Sequence, residues 1–403
     1  MKRRRVKITG IGPVTPAGIG REEFWKGILE PVSRVRPFSK LGPECGPFVA
    51  ASIDRFNVAK YLDRERLPKG IGRHTQFAAV GAVLALRDAG ISSMGSMSDD
   101  CVVVTGSSLM DFGGISNSTH AVHTKGPHAA LPRTIFTTTN ANVTETVSQV
   151  LGVTSRTMTL QNSCCSGLDA IGYAAALVAR GEAEIAVCGG TEAPLYQCPL
   201  LELRAAGLTP LTEEMSDRLA RPFDLWRTTG VISEGASMFV LEPESSPRKG
   251  YSFVAGYGFA NDETSLVCSG LVEAARLAIA DAKIKPNQVE AISAWGPGHR
   301  FIDAGEASAL LSIFHDELGN LSSFSIKGAI GSALGAAGAI QVAASALAQF
   351  HSEIPPTVNW RYPDPMCPLN LSNRSRMVGH RVTLINTHGV GSVNSCLVLI
   401  GPC

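Results

Sequence analysis

The stretch that decides the fold is LQNSCCSGLDAIGYAAALVARG, residues 160–181. It begins with small and polar residues around two adjacent cysteines and continues in alanine and aliphatic residues. This pattern predicts a turn followed by a buried helix that begins near Ser166. A cysteine at the N-terminus of a helix lies at the positive end of its dipole, which favours the thiolate and lowers the pKa. The turn is therefore expected to present a nucleophile, although a small buried residue gives the same local pattern.

On both sides of this stretch, short β-rich runs alternate with alanine-rich runs, which predicts an α/β protein. Strands are expected at 6–11, 101–105, 185–188, 238–241, 291–294 and 382–385. Helices are expected at 21–29, 75–88, 166–179, 269–282 and 331–350. Prolines, serines and charges interrupt the pattern at 242–250 and divide the chain into 1–242 and 251–403. Each part has a small-residue helix after a Gly/Ser loop, which suggests a duplicated fold although no repeated sequence is visible.

The composition is that of a soluble, enzyme-sized chain: 44% of the 403 residues are hydrophobic and 18% are charged. Lys and Arg (36) nearly balance Asp and Glu (35), so no overall field attracts nucleic acid or an anionic membrane. Residues 331–350 are uncharged, but their Ala, Gly and Ser content predicts a buried helix rather than a membrane span. The ten cysteines form no disulfide framework, and no signal-peptide pattern is present, so a cytoplasmic protein is expected.

Two patterns resemble cofactor sites without meeting their requirements. The glycines of residues 10–18 follow a strand, but prolines stand where a dinucleotide-binding helix would begin. Three histidines lie in a Gly/Pro-containing stretch without the i, i+4 spacing of helical metal ligands: His120, His123 and His128. A solvated loop and no metal are expected there.

Residues 160–181 resemble the nucleophile motif of the β-ketoacyl synthases, the condensing enzymes of the thiolase-like fold. In that motif Cys164, rather than Cys165, has the position of the acyl-carrying nucleophile. Similar segments follow in matching order over almost the whole chain: VKITGIGPVTPAG (6–18), CGGTEAP (188–194), RPFDLWRTTGVISEGASMFVLE (221–242), SIKGAIGSALGAAGAI (325–340) and NTHGVGSVNSCLVLIG (386–401).

The resemblance implies two stacked βαβαβαββ halves in a five-layered α/β/α/β/α core, usually as a dimer. It implies no bound cofactor, because the family acts on acyl groups carried as phosphopantetheine thioesters of an acyl carrier protein or CoA. The expected partners are an acyl carrier protein and either a second copy or a homologous ketosynthase.

The chain departs from the family at the two histidines that a decarboxylating ketosynthase uses to polarise a malonyl thioester. Trp295 has the position of the first, and the threonines that usually hold the pantetheine arm are also absent nearby. Ser332 has the position of the second. An indole cannot accept a hydrogen bond, and a serine does not replace an imidazole near neutral pH. Malonyl decarboxylation is therefore expected to be near background.

Three other residues bear on the chemistry. Lys327 is kept, but Gln341 replaces its usual carboxylate partner, so a catalytic amine and a structural amine are both open. His388 stands where the family usually has a phenylalanine whose amide, with that of Cys164, forms the oxyanion hole. Its imidazole is expected near the thiol as a base, the alternative being a space-filling residue. His299 is expected to be a solvated loop residue beyond the site.

A basic cluster resembles the edge where ketosynthases receive an acidic carrier protein, and it would guide that partner electrostatically. An ordinary solvated helix face is the alternative, because Asp63 and Glu65 dilute the charge. The cluster comprises Lys60, Arg64, Arg66, Lys69 and Arg73.

Three functions are open on this sequence. The first is an acyltransferase that carries an acyl group on Cys164 without malonyl decarboxylation. The second is a non-catalytic partner subunit like the chain-length factors, which also lose the histidines but typically lose the cysteine too. The third is a condensing enzyme with rearranged groups, in which His388 or Lys327 generates the carbanion. Retention of Cys164 favours the first.

Overall fold

The computed structural model describes residues 3–63, 66–263 and 267–402. The α-helices are α1 Arg21–Leu29, α2 Arg73–Asp88, α3 Phe112–Lys125, α4 Thr134–Thr137, α5 Ala141–Leu151, α6 Ser166–Arg180, α7 Gln197–Ala205, α8 Gly270–Asp281, α9 Arg300–Phe314, α10 Lys327–Ile330 and α11 Ala337–His351. The strands are β1 Val6–Thr15, β2 Gly18–Ile19, β3 Arg36–Pro37, β4 Val49–Ala50, β5 Cys101–Gly106, β6 Thr157–Leu160, β7 Ile185–Glu192, β8 Gly235–Pro243, β9 Ser252–Asn261, β10 Ala291–Ser293, β11 Ser322–Phe324, β12 Glu353–Ile354, β13 Arg376–Met377, β14 Val382–Gly389 and β15 Val393–Ile400.

The main strands fall into two groups with the same spatial order. The first group runs β6-β5-β7-β8-β1 and the second runs β11-β10-β14-β15-β9. In each group the first three strands are parallel, and the last two pairings are antiparallel. Antiparallel pairing of β1 with β9 joins the groups into one continuous sheet. The two halves of the chain therefore repeat one topology, although their sequences show no visible repeat.

Helices form three layers around the two halves of the sheet. In the middle, α6 and α11 pack against each other, and each contacts strands of both halves. Outside the first half lie α2 and α5, whereas α8 and α9 lie outside the second. The expected thiolase-like α/β/α/β/α arrangement is confirmed.

The uncharged segment at 331–350 forms the end of the middle layer. Its helix, α11, begins only at Ala337, after a 3₁₀ turn at Leu334–Ala336, and its residues 337–349 are all buried. None of the helices in the described part of the chain is long and apolar enough to cross a membrane.

Four main strands were not predicted from the sequence: β6, β9, β11 and β15. Strand β9 contains Gly256 and Gly258, which are typical of turns rather than strands. A Cβ at these positions would lie 2.1 Å from the carbonyl oxygen of Ala278 and 2.4 Å from that of Ala274. The glycines thus allow α8 to pack directly on the strand, a requirement that appears only in the tertiary structure.

Candidate active site around Cys164

Cys164 lies in the tight turn between β6 and α6. Ser163 has a φ of 49°, in the left-handed region that strains a residue with a side chain. The Ser166 hydroxyl donates to the Ser163 carbonyl (2.6 Å) and accepts from the Asn162 amide (2.8 Å). The Asn162 side chain donates to the Asp169 carboxylate at 2.6 Å. These contacts hold the strained turn and so determine where Cys164 is presented, just before the helix.

The two cysteines of the turn have different surroundings. Cys164 is 6% exposed and lines a small pocket, with a cavity volume of about 50 Å³, that also contains Trp295 and Ser332. Cys165 is fully buried on the other side, where its sulfur accepts from the Thr387 hydroxyl at 3.3 Å. Only Cys164 of this pair therefore faces a space that a ligand can enter.

The thiol of Cys164 is not activated in the resting structure. Burial raises its pKa to about 11, although the Val390 amide, the Ser163 hydroxyl and the charge of Lys327 act in the opposite direction. The expectation of a lowered pKa was wrong, because removal of the thiolate from water outweighs the effect of the helix terminus. A base is needed if this thiol is to react near neutral pH.

The backbone amide that acts on the sulfur is that of Val390, not that of His388. His388 is paired with Asn394 inside the β14–β15 ladder, whereas Val390 follows the end of β14 and lines the pocket. A Cβ on Gly389 would lie 3.1 Å from the Cys164 nitrogen. The missing side chain thus lets the chain approach the turn, and it is the Val390 amide that lies at the sulfur. The expected oxyanion pair of Cys164 and His388 stays a prediction.

The imidazole of His388 lines the same pocket as Cys164. Its Nδ1 lies 2.9 Å from Asn394 Oδ1, and Asn394 Nδ2 donates to Asp262 Oδ1 at 2.7 Å. Because a carboxylate can only accept, the orientation of the Asn394 amide is determined, and Nδ1 of a neutral His388 carries the proton. Its Nε2 is then unprotonated, as a base requires. Within the described residues no hydrogen bond joins His388 to Cys164.

His299 also lines this pocket, so its predicted place in a solvated loop was wrong. It is half-buried and is the N-cap residue of α9, where its Nδ1 accepts from the Ile302 amide at 3.4 Å. The Gly and Pro residues before it indicated a loop. The helix that begins at the next residue turns its side chain inward.

Lys327 is buried behind the indole of Trp295, which faces the pocket. Its Nζ lies 4.0 Å from the ring centroid of Trp295 and donates to Gln341 Oε1 at 2.9 Å. The Gln341 amide nitrogen donates to three backbone carbonyls, which leaves its oxygen for the lysine. Burial lowers the pKa of Lys327 to about 7. These contacts satisfy the amine inside the protein, and Lys327 is not among the residues that line the pocket of Cys164.

Comparison with known protein families shows to which family the chain belongs. Residues 3–246 match the β-ketoacyl synthase N-terminal domain, and residues 251–361 match the β-ketoacyl synthase C-terminal domain. The chain belongs to the β-ketoacyl synthase family. In this member of the family, the pocket beside Cys164 contains the indole of Trp295 and the hydroxyl of Ser332.

Relatives and solved structures match over the whole chain. A Streptomyces virginiae protein named among the polyketide β-ketoacyl synthases is 32% identical over 419 residues, covering 99% of this chain and 98% of the relative. The 3-oxoacyl-[acyl-carrier-protein] synthase 2 of Coxiella burnetii is 28% identical, covering 99% of both chains. The ishigamide ketosynthase/chain length factor structure is 27% identical with a TM-score of 0.91, covering 100% of both chains. A ketosynthase in complex with a type II polyketide acyl-carrier protein is 26% identical with a TM-score of 0.90, again covering 100% of both.

Only part of the predicted carrier-protein cluster is exposed to solvent. Lys60, Arg66 and Lys69 are exposed, whereas Arg64 lies outside the described residues. Arg73 is half-buried, and its guanidinium makes two 2.7 Å hydrogen bonds to the buried carboxylate of Glu234. Its contacts are those of a structural ion pair.

The predicted histidine loop is instead mostly helical. His120 and His123 lie on α3, and His128 follows in a 3₁₀ turn, all three exposed to solvent. The proline and glycine at 126–127 that suggested a loop mark only the end of α3. In the described part of the chain, no group of three or more His, Cys, Asp or Glu side chains is arranged to hold a metal ion.

Proposed function

We propose that this ketosynthase-family chain is an acyltransferase of fatty-acid or polyketide-type biosynthesis that carries an acyl group on Cys164 without malonyl decarboxylation. The observation that carries the proposal is the content of the Cys164 pocket. It combines a thiol with the imidazole of His388, while the two positions used for decarboxylation hold Trp295 and Ser332.

The proposed reaction is a thioester exchange. Nε2 of His388 takes the proton of the Cys164 thiol, and the thiolate attacks the carbonyl carbon of the incoming acyl thioester. A new bond forms between that carbon and Cys164 Sγ, the bond to the pantetheine sulfur breaks, and the proton passes from His388 to the departing thiolate. The amides of Cys164 and Val390 stabilise the negative oxygen of the intermediate. The reverse sequence passes the acyl group to an acceptor.

Malonyl decarboxylation requires more of the site than acyl transfer does, because an enolate must be stabilised as carbon dioxide leaves. Loss of one oxyanion donor typically costs about 3 kcal/mol, so the absence of two imidazoles lowers the rate by several powers of ten. Lys327 packs against the face of Trp295, 4.0 Å from its ring centroid, and is not among the residues that line this pocket.

The proposed substrate is an acyl group on the phosphopantetheine of an acyl carrier protein or CoA. The exposed Lys60, Arg66 and Lys69 are proposed to attract the acidic carrier. The second subunit is either another copy or a homologous ketosynthase, and the similar ketosynthase/chain length factor structure supports the latter. A reducing cytoplasm suits the free cysteines of the described residues.

A second candidate is a non-catalytic partner subunit that resembles the chain-length factors. The raised pKa of Cys164 and the small pocket of about 50 Å³ favour this function, since both suit a residue that only fills space. The two candidates differ in whether the thiol is acylated.

The test follows the mass of the protein and the fate of a labelled malonyl group in one incubation. The purified protein is mixed with acyl carrier thioesters and carboxyl-labelled malonyl thioester, beside Cys164→Ala and a matched Cys165→Ala control. Acylation that only Cys164→Ala abolishes, without label release, is the expected result. Brisk release dependent on Cys164 shows instead a condensing enzyme with His388 or Lys327 in a new role, and no acylation by any thioester supports the partner subunit.

A further inference from the structure

The backbone around α9 holds the His299 ring in one orientation. The Ile302 amide donates to its Nδ1, and the amides of Gly298 and His299 both donate to Asp303 Oδ1 at 3.1 Å. Asp303 is buried and also accepts from the Phe223 amide at 2.7 Å. The ring is therefore part of a rigid helix start.

These contacts also determine where the proton of His299 lies. A backbone N–H can only donate, so Nδ1 must be the acceptor, and the proton of a neutral imidazole is on Nε2. Burial, followed by the charge of Arg227, lowers the pKa of His299, which favours the neutral ring. No described residue accepts a hydrogen bond from Nε2, so this N–H is left for a ligand.

The pocket consequently holds two histidines in opposite tautomers. Asn394 places the proton of His388 on Nδ1 and leaves Nε2 as a base, whereas Ile302 places the proton of His299 on Nε2 and makes it a donor. The other lining groups are largely apolar, among them Leu208 and Leu334. A hydrogen bond to a developing charge is stronger in such surroundings than in water.

We propose that His299 is a further catalytic residue, whose Nε2–H donates to the carbonyl oxygen of an acyl thioester bound at Cys164. The inference rests on the proposed acyl transfer and deepens it, because it assigns the pocket one base and one side-chain donor. Negative charge grows on that oxygen as the Cys164 sulfur attacks, so the hydrogen bond strengthens in the transition state. The donor supplements the amides of Cys164 and Val390, and no proton leaves His299.

Substitutions that separate the donor from the helix cap test this role. His299→Ser removes the donor but keeps a good N-cap residue, whereas His299→Ala removes both. His299→Asn keeps a cap acceptor and a side-chain N–H. For each variant, mass spectrometry follows acylation of Cys164 by saturating acyl thioesters of N-acetylcysteamine. Alkylation of Cys164 by iodoacetamide, in which no carbonyl oxygen gains charge, is the control reaction, and thermal unfolding reports on the fold.

The expected result is a loss of about 100-fold or more in the saturated acylation rate of His299→Ser, with unchanged alkylation and melting temperature. His299→Asn is expected to recover at least part of this loss. Wild-type acylation rates in His299→Ser overturn the role of His299 while leaving the proposed acyl transfer intact. Equal losses in acylation and alkylation, in step with a lower melting temperature, identify a purely structural cap. Failure of the wild-type protein itself to become acylated overturns both proposals.

Discussion

His388→Phe is the substitution that most directly tests whether the pocket activates its thiol. The pKa of Cys164 is raised to about 11 by burial, so at pH 7 the thiolate fraction without a base is about one in 10⁴. Each pH unit up to 11 should then raise the alkylation rate about tenfold. A base that takes the thiol proton as the sulfur attacks raises the alkylation rate at neutral pH above the rate that the thiolate fraction alone would give.

The assay measures alkylation of Cys164 by iodoacetamide between pH 6 and pH 11. Cys198 is exposed and reacts independently, so the modified residue is identified by peptide mass, and Cys164→Ala provides the blank. We expect the wild-type rate at neutral pH to exceed the extrapolated thiolate rate. In His388→Phe we expect only the tenfold rise per pH unit. Asn394→Leu, which removes the contact that orients His388, should lie between the two.

Two results would refute this reasoning. Superimposable pH profiles for the wild-type protein and His388→Phe would leave His388 as a space-filling residue. A plateau below pH 8 in both would show that Cys164 has a low thiol pKa, in conflict with its burial.

Other predictions concern the surroundings of the site. Lys327→Met should change how the free energy of unfolding depends on pH. Between pH 7 and 10 the unfolded wild-type chain binds more protons at this lysine than the folded one does. The wild-type free energy of unfolding, measured in urea, should therefore rise with pH relative to that of the variant. Arg73→Ala should lower the unfolding free energy by about 2 kcal/mol, because the buried Glu234 carboxylate loses its cation and keeps the hydrogen bond from the Ile53 amide. Lys60→Ala should instead leave stability unchanged and weaken carrier-protein binding at low salt, as measured by titration calorimetry. Gly389→Ala should keep the fold but slow acylation of the nucleophile more than tenfold, because its Cβ would press on the turn.

Local sequence predicted the elements that present Cys164. Helix α6 begins at Ser166 as expected, because small residues followed by an alanine-rich run favour a turn and then a helix. The departures from the family at Trp295 and Ser332 are also readable from residue identity alone. Both positions prove to line the pocket.

The protonation of the site was not predictable in this way. A helix N-terminus indicates a low thiol pKa, but burial by distant segments decides the value, and burial is a property of the assembled layers. The place of His299 depends on α9, whose first turn directs the ring toward residues far away in sequence.

The sequence by itself determined the family, the turn at Cys164 with the helix that follows it, and the residues Trp295 and Ser332 of the pocket, because each depends on local pattern or residue type. Only the tertiary structure decided that Val390 supplies the amide at the sulfur and that Lys327 packs against Trp295. It also decided that His299 and His388 share the Cys164 pocket in opposite tautomers. The physical reason is that a proton's position depends on which donor or acceptor the fold brings to each ring nitrogen, and those partners lie on different elements.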